Sequence, residues 1–220
     1  MTFSSFAPHS QAVRADQVGN VVLAQHTAVV QMLLEACLPS VAPSSPTGDH
    51  TNGSNLAESQ QLLLETVSEM FLEAPLLFKA VHFQGYPPAV VPLIVARVPS
   101  AHAAAAFLPE LLAQPPSSGT TLFAVVLAAE LAGRYPLEST LQPAGTALAA
   151  AAAAADAGDQ VFLVTALPSL CRAAAAFPSL LPATLAVVHQ CTQGPPPLRH
   201  AAERAFDELL RRRVLVGQLG

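Results

Sequence analysis

Apolar positions recur at helical spacing along most of the chain. Leu23, Val30, Leu34 and Leu38 follow one another at intervals of seven, four and four, which puts them on one face of a helix. Pro39 ends that helix, because proline lacks an N–H and restricts the residue before it. A helix is therefore predicted over residues 16–39, after a polar stretch at residues 1–15 that is expected to fray. A second helix is predicted from Leu56 to Glu73. Leu63, Val67, Met70 and Phe71 form its apolar face, Glu58, Glu65, Glu69 and Glu73 lie largely off it, and Pro75 closes it. Between the two, residues 40–55 read SVAPSSPTGDHTNGSN, rich in Ser, Pro, Gly and Asn, and are expected to form a disordered linker.

Beyond Pro87 the pattern becomes a series of short helices punctuated by proline. Pro88–Val98 is almost entirely apolar and is expected to be buried or covered by a partner. A buried strand is the alternative there, but it would have no partner strand to pair with. Ser100 is placed to cap a following helix, and Pro109 sits where a first helical turn tolerates a missing N–H. Ser118–Arg134 carries Leu122, Val125, Val126 and Ala129 on one face. Ala144–Gly158 is a helix by alanine propensity, expected to be weakly anchored because its side chains are small. Gln160–Arg172 and Pro178–Gln190 form another pair, and Gly194–Pro197 is a sharp break. Residues 198–216 form a C-terminal amphipathic helix striped by Leu198, Ala202, Phe206 and Leu209. Asp207–Arg211 and Glu208–Arg212 are set as i, i+4 pairs, acid first.

About eight helices with short connections and no convincing strand alternation imply an all-α fold. Residues 56–193 are read as a helical-hairpin array, either a HEAT/armadillo-like solenoid or an irregular helical bundle.

Composition adds two constraints. Apolar residues make up 52% of the chain and charged ones 11%, so there is little polar surface to cover a lone globule, and a partner surface is expected. The net charge of −5 argues against a chain built chiefly to hold nucleic-acid backbone, so direct nucleic-acid contact is not expected. No apolar run reaches the roughly 20 residues of a membrane helix, and no membrane contact is expected. No secretory signal or transit peptide is visible at the N-terminus. Three widely spaced cysteines, Cys37, Cys171 and Cys191, suit a reducing compartment and read as small core side chains.

No chemistry-bearing constellation stands out. The seven histidines and three cysteines show no metal-ligand spacing, no nucleophile elbow or phosphate cradle occurs, and Lys79 is the single lysine. Glu110 and Glu130 are the only mild candidates for acid/base carboxylates, and both read more simply as solvated residues or helix caps. The Arg211–Arg213 run could meet phosphate, but two of its members have acidic partners one turn back, and all three complement a helix C-terminus. No catalytic residue, metal or cofactor is therefore expected. The remaining candidate is the loop His82, Phe83, Gln84, Gly85, Tyr86, Pro87. Either its aromatic residues anchor it in the core around a glycine turn, or they form a docking surface for a partner.

Four motifs carry a family resemblance: AVVQMLLEACLP (Ala28–Pro39), VHFQGYP (Val81–Pro87), LIVARVPSAHAAAAFLPELLAQP (Leu93–Pro115) and LPSLCRAAAAFP (Leu167–Pro178). In this order, with an insert after the first, they resemble the C-terminal region of the Integrator complex subunit 2 family. LRHAAERAFDELL (Leu198–Leu210) is more weakly similar to the family's terminal helix. Members of that family are much longer, so the chain looks like a C-terminal fragment or the product of a truncated gene model.

The resemblance implies a helical-repeat scaffold without catalytic residues in the nuclear Integrator complex. Its implied partners are other Integrator subunits and, through them, RNA polymerase II. Its implied roles are support of small nuclear RNA 3′-end processing and of transcription attenuation. The alternative is a stand-alone helical adaptor that binds RNA through Arg199–Arg213.

Overall fold

The computed structural model describes residues 9–38, 51–113 and 118–217, with side chains over 19–38, 58–113 and 119–213. Among these are ten α-helices: α1 (His9–Ala36), α2 (Thr51–Glu73), α3 (Pro75–Gln84), α4 (Val91–Arg97), α5 (Leu108–Leu112), α6 (Ser118–Arg134), α7 (Glu138–Ala157), α8 (Gln160–Ala176), α9 (Leu181–Thr192) and α10 (Pro196–Gly217). Short 3₁₀ segments cover Pro88–Val90, Pro99–Phe107 and Pro178–Leu180. The fold is all-α, as the periodicity implies.

The predicted faces are the buried ones. Val30 and Leu34 on α1, and Val67 and Phe71 on α2, are enclosed, while Glu58, Glu65, Glu69 and Glu73 are exposed. Boundaries differ. α1 begins at His9, within the stretch expected to fray, and α2 begins at Thr51, within the expected linker. Residues 1–8 and 40–50, the rest of those two expectations, lie outside the described residues.

Val90 closes a 3₁₀ turn and Val91–Arg97 is α-helical rather than extended, and Val90, Val91, Ile94, Val95 and Val98 are all buried. Ser100 does not act as a cap. It is the second residue of the 3₁₀ segment, which makes no side-chain cap bond, and its Oγ is enclosed without a hydrogen-bond partner among the described residues. The segment's period of three places Ala101, Ala104 and Phe107 in one buried row.

Helix contacts sort into two layers. α4, α6, α8 and α10 pack side by side in that order, and α5, α7 and α9 pack side by side in a second layer. Consecutive helices α5 to α10 also touch one another. This alternation is what stacked helical hairpins produce. α1, α2 and α3 pack mutually at the N-terminal end.

Alanine makes the close stacking possible. α7 starts at Glu138, ahead of the alanine run, and Ala144, Ala147 and Ala151 are at most 1% exposed. These three of the alanines expected to anchor α7 weakly thus lie in the interior, where small side chains let helices approach closely. α6 and α8 approach closely at Gly133, where an added Cβ would lie 3.2 Å from the Arg172 backbone carbonyl carbon. The turn from α7 to α8 uses Gly158 at φ 71°, then Asp159, whose carboxylate accepts from Phe162 N–H at 3.1 Å.

Candidate functional site

Phe78, His82 and Tyr86 stand one helical turn apart and face inward from α3 and the loop after it. His82 is fully buried and Tyr86 nearly so. The His82 ring lies 4.3 Å from Phe78, 5.5 Å from Tyr86 and 5.7 Å from both Phe71 and Phe107, measured between centroids. Phe123 of α6 packs on Tyr86 at 4.7 Å. Burial pushes the His82 imidazole down to about 4, against a weaker opposing pull from the Phe78 carbonyl, and it pushes the Tyr86 phenol up.

The loop is also held from outside. Gln31 of α1 donates to the Gly85 carbonyl at 2.7 Å and accepts from Gln84 Nε2 at 3.0 Å. Gly85 has φ 78°, a conformation that glycine adopts without strain. For His82 and Tyr86 the structure therefore takes the core-anchoring alternative. Of the six loop residues, Gln84 is exposed, and Phe83, Gly85 and Pro87 are half-buried.

A second polar cluster links α6 to α8. Glu130 is buried, which corrects its reading as a solvated or capping residue. Arg172 Nε donates to its two carboxylate oxygens at 2.9 and 3.2 Å, and Arg172 Nη2 also bonds it. Ser169 Oγ donates to Glu130 Oε1 at 2.5 Å and accepts from Arg172 Nη2 at 3.2 Å. Ser169 and Arg172 escaped the sequence reading. Their signal is that Arg172 is the sole charged residue of α8. Glu110, by contrast, is exposed and pairs with Lys79 at 3.0 Å.

The three cysteines are buried thiols, Cys37 in the turn after α1, Cys171 on α8 and Cys191 on α9. Burial pushes the Cys171 thiol up to about 12 and raises those of Cys37 and Cys191. Of the two expected pairs on α10, Glu208–Arg212 closes at 2.6 Å, while Asp207 and Arg211 form no ion pair among the described residues. Among the described residues no three His, Cys, Asp or Glu side chains gather as a metal site would require. No helix among them is long and apolar enough to cross a membrane.

A helical-hairpin array, braced internally by an aromatic cluster and one buried ion pair, is compatible with many functions, so comparison with known sequences decides the family. The family model for Integrator complex subunit 2 matches residues 5–194. The chain belongs to the Integrator complex subunit 2 family. It is 32% identical over 214 residues to Integrator complex subunit 2 of Homo sapiens, a match covering 82% of this chain and 17% of that protein. It is 30% identical over 237 residues to the Gallus gallus protein, covering 95% of this chain and 20% of that one. The Integrator complex subunit 2 homolog of Dictyostelium discoideum is 30% identical over 138 residues, covering 58% and 10%. The chain spans about a fifth of the length of the vertebrate relatives it matches.

Within this Integrator subunit 2 segment, the matched residues include the His82 cluster and the Glu130–Arg172 pair. They stop before α10, which starts at Pro196. α10 nonetheless packs along α8 and α9 and buries Leu198, Ala202 and Leu209.

Proposed function

We propose that the chain is a non-catalytic scaffold of the nuclear Integrator complex, packing its helices against other Integrator subunits. In that setting it supports small nuclear RNA 3′-end processing and transcription attenuation, and reaches RNA polymerase II through its partners. The family match across residues 5–194 carries this reading.

Surface composition supports it. Val22, Val29 and Met32 on α1, Leu62 and Leu72 on α2, and Leu76 on α3 are between 41% and 76% exposed. Apolar side chains left in water on three mutually packed helices are surface that gains by being covered. Gln84 and the half-buried Phe83 and Pro87 add the outer side of the His82–Pro87 loop to the proposed contact area.

Affinity purification of the tagged native protein tests the proposal. Other Integrator subunits should be recovered at near-stoichiometric amounts, and recovery of none overturns it.

The alternative, an RNA-binding adaptor using Arg199–Arg213, has less support. Arg199 donates to the carbonyls of Thr192 and Gly194, and Arg212 pairs with Glu208, so both arginines serve local structure. A salt titration of RNA affinity separates the readings, since phosphate contacts impose a steep salt dependence.

A further inference from the structure

The side-by-side layer α4–α6–α8–α10 brings three arginines from three different helices to one notch. Arg134 is the last residue of α6, Arg172 lies on α8 and Arg212 on α10. They line a cavity of about 280 Å³ together with Glu130 and an apolar wall that includes Pro92 and Val95 of α4. Arg134 and Arg212 are exposed at the surface, so the notch can be reached from outside.

The bonding of the three guanidinium groups is unequal. Arg172 commits Nε and Nη2 to Glu130 and Ser169, and its Nη1 makes no bond among the described residues. Arg212 commits Nε to Glu208. Arg134 forms no hydrogen bond or ion pair among the described residues. Three positive charges against the carboxylates of Glu130 and Glu208 leave one uncompensated. A cation at the end of α6 complements the helix dipole, but that does not account for arginines from α8 and α10 converging on the same notch.

We propose that this notch receives the carboxylate of an aspartate or glutamate side chain from a partner protein. The inference rests on the scaffold reading and names the chemistry of one of its contacts. A monoanion matches the single uncompensated charge, whereas a phosphate dianion would meet the Glu130 carboxylate with charge to spare. Guanidinium forks suit a carboxylate's two oxygens. The Pro92 and Val95 wall suits the methylene stem of an acidic side chain. A cavity this open holds a free acid poorly, and a peptide adds flanking contacts.

Two experiments test it. In the first, NMR spectra of the full chain are recorded with acetyl-tetraglutamate amide, with a phosphoserine peptide, and with acetate at equal carboxylate concentration. The glutamate peptide should shift the amide signals around Gly133, Arg134 and Arg172, and R134E/R212E should weaken it at least tenfold while keeping the same thermal midpoint within a few degrees. Absence of localised shifts overturns the proposal. So do acetate shifts equal to the peptide's, which mean an adventitious ion only, and tenfold tighter phosphopeptide binding, which means a phosphate receptor.

In the second experiment, tagged wild type and R134E/R212E are purified from cells. Loss of at least one Integrator subunit from the variant alone supports the notch. An unchanged set of partners overturns it and leaves the scaffold reading standing. If wild type itself recovers none, the scaffold reading fails, and the glutamate titration still decides whether the notch binds carboxylate.

Discussion

The Tyr86 hydroxyl lies 3.4 Å from His82 Nε2, and the proton between them belongs to tyrosine. The assignment follows from the other side of the imidazole, where Nδ1 lies 2.8 Å from the Phe78 carbonyl oxygen and must donate to it. One neutral tautomer satisfies both contacts. A second proton on Nε2 would put a cationic imidazole inside a ring of aromatic side chains, shut off from water. The conformation of the VHFQGYP loop is thus coupled to the neutral state of one histidine.

Stability should therefore fall with acidification in a defined window. His82 binds its proton near 6.5 when unfolded and near 4 when folded, so the unfolded state takes up more protons between those values. The contribution is fully present above about pH 6.5 and is lost as pH falls toward 4, amounting to about 3 kcal/mol over the window. Urea unfolding of wild type and His82→Gln at pH 7 and pH 4.5 checks this. The wild type should lose about 2–3 kcal/mol more than the variant, and equal losses would contradict the assignment.

Glu130 should be the most costly carboxylate to remove. Its loss leaves the Arg172 guanidinium largely enclosed without its counter-charge, and Ser169 without its acceptor. Breaking a buried pair from one side costs about 3–5 kcal/mol, and the partial exposure of Arg172 moves Glu130→Ala to about 2–3 kcal/mol. In a double-mutant cycle, Glu130→Ala combined with Arg172→Ala should cost clearly less than the sum of the two. Additive values would mean that the pair carries no coupling. Glu110→Ala, at an exposed pair with Lys79, should cost less than about 1 kcal/mol.

Helix faces were legible in the sequence wherever an apolar stripe met a polar one, as at Val30 and Leu34 on α1 and Val67 and Phe71 on α2. The proline stop at Pro75 was legible too, whereas Pro143 and Pro168 lie inside α7 and α8. The two-layer arrangement was not, since no repeat period marks it and helix order within a layer is set by side-chain size at contacts far apart in sequence. The part alanine plays in packing was not legible for the same reason. Its small side chain suggests weak anchoring in isolation, yet at Ala144, Ala147 and Ala151 of α7 it lies in the interior. At the loop, the turn of Gly85 could be read from residue type. The choice between core and docking surface for His82 and Tyr86 could not, because Phe107 and Phe123, which enclose them, lie on later elements. The Glu130–Arg172 pair spans 42 residues, and only the isolation of each charge in an apolar helix hinted at it.

The three thiols should be inert in the folded chain. Alkylation needs the thiolate, and burial raises all three, Cys171 up to about 12. With iodoacetamide at pH 8, intact-mass spectra should show no adducts on the native protein within minutes and three after denaturation in guanidinium. Rapid labelling of Cys37 alone would show that the end of α1 opens locally.

Two glycine substitutions should move stability in opposite directions. Gly145 lies in α7 with open space where a Cβ would be added, so Gly145→Ala gains helix propensity without a clash and should stabilise by about 0.5–1 kcal/mol. Gly133 also lies in a helix, α6, but its added Cβ would sit 3.2 Å from both the backbone carbonyl carbon and the Cβ of Arg172. Backbone atoms of a packed helix cannot swing aside as a side-chain tip can, so α6 and α8 must part. For Gly133→Ala the strain and the propensity gain oppose each other. Gly133→Val adds two methyl groups to the same contact and should destabilise by about 2–3 kcal/mol, within the cost of overpacking a close-packed interior. Thermal midpoints of Gly145→Ala and Gly133→Val measured against wild type decide it. The first should rise and the second fall, and a Gly133→Val midpoint at or above wild type would mean that α6 and α8 do not approach as closely as their small residues allow.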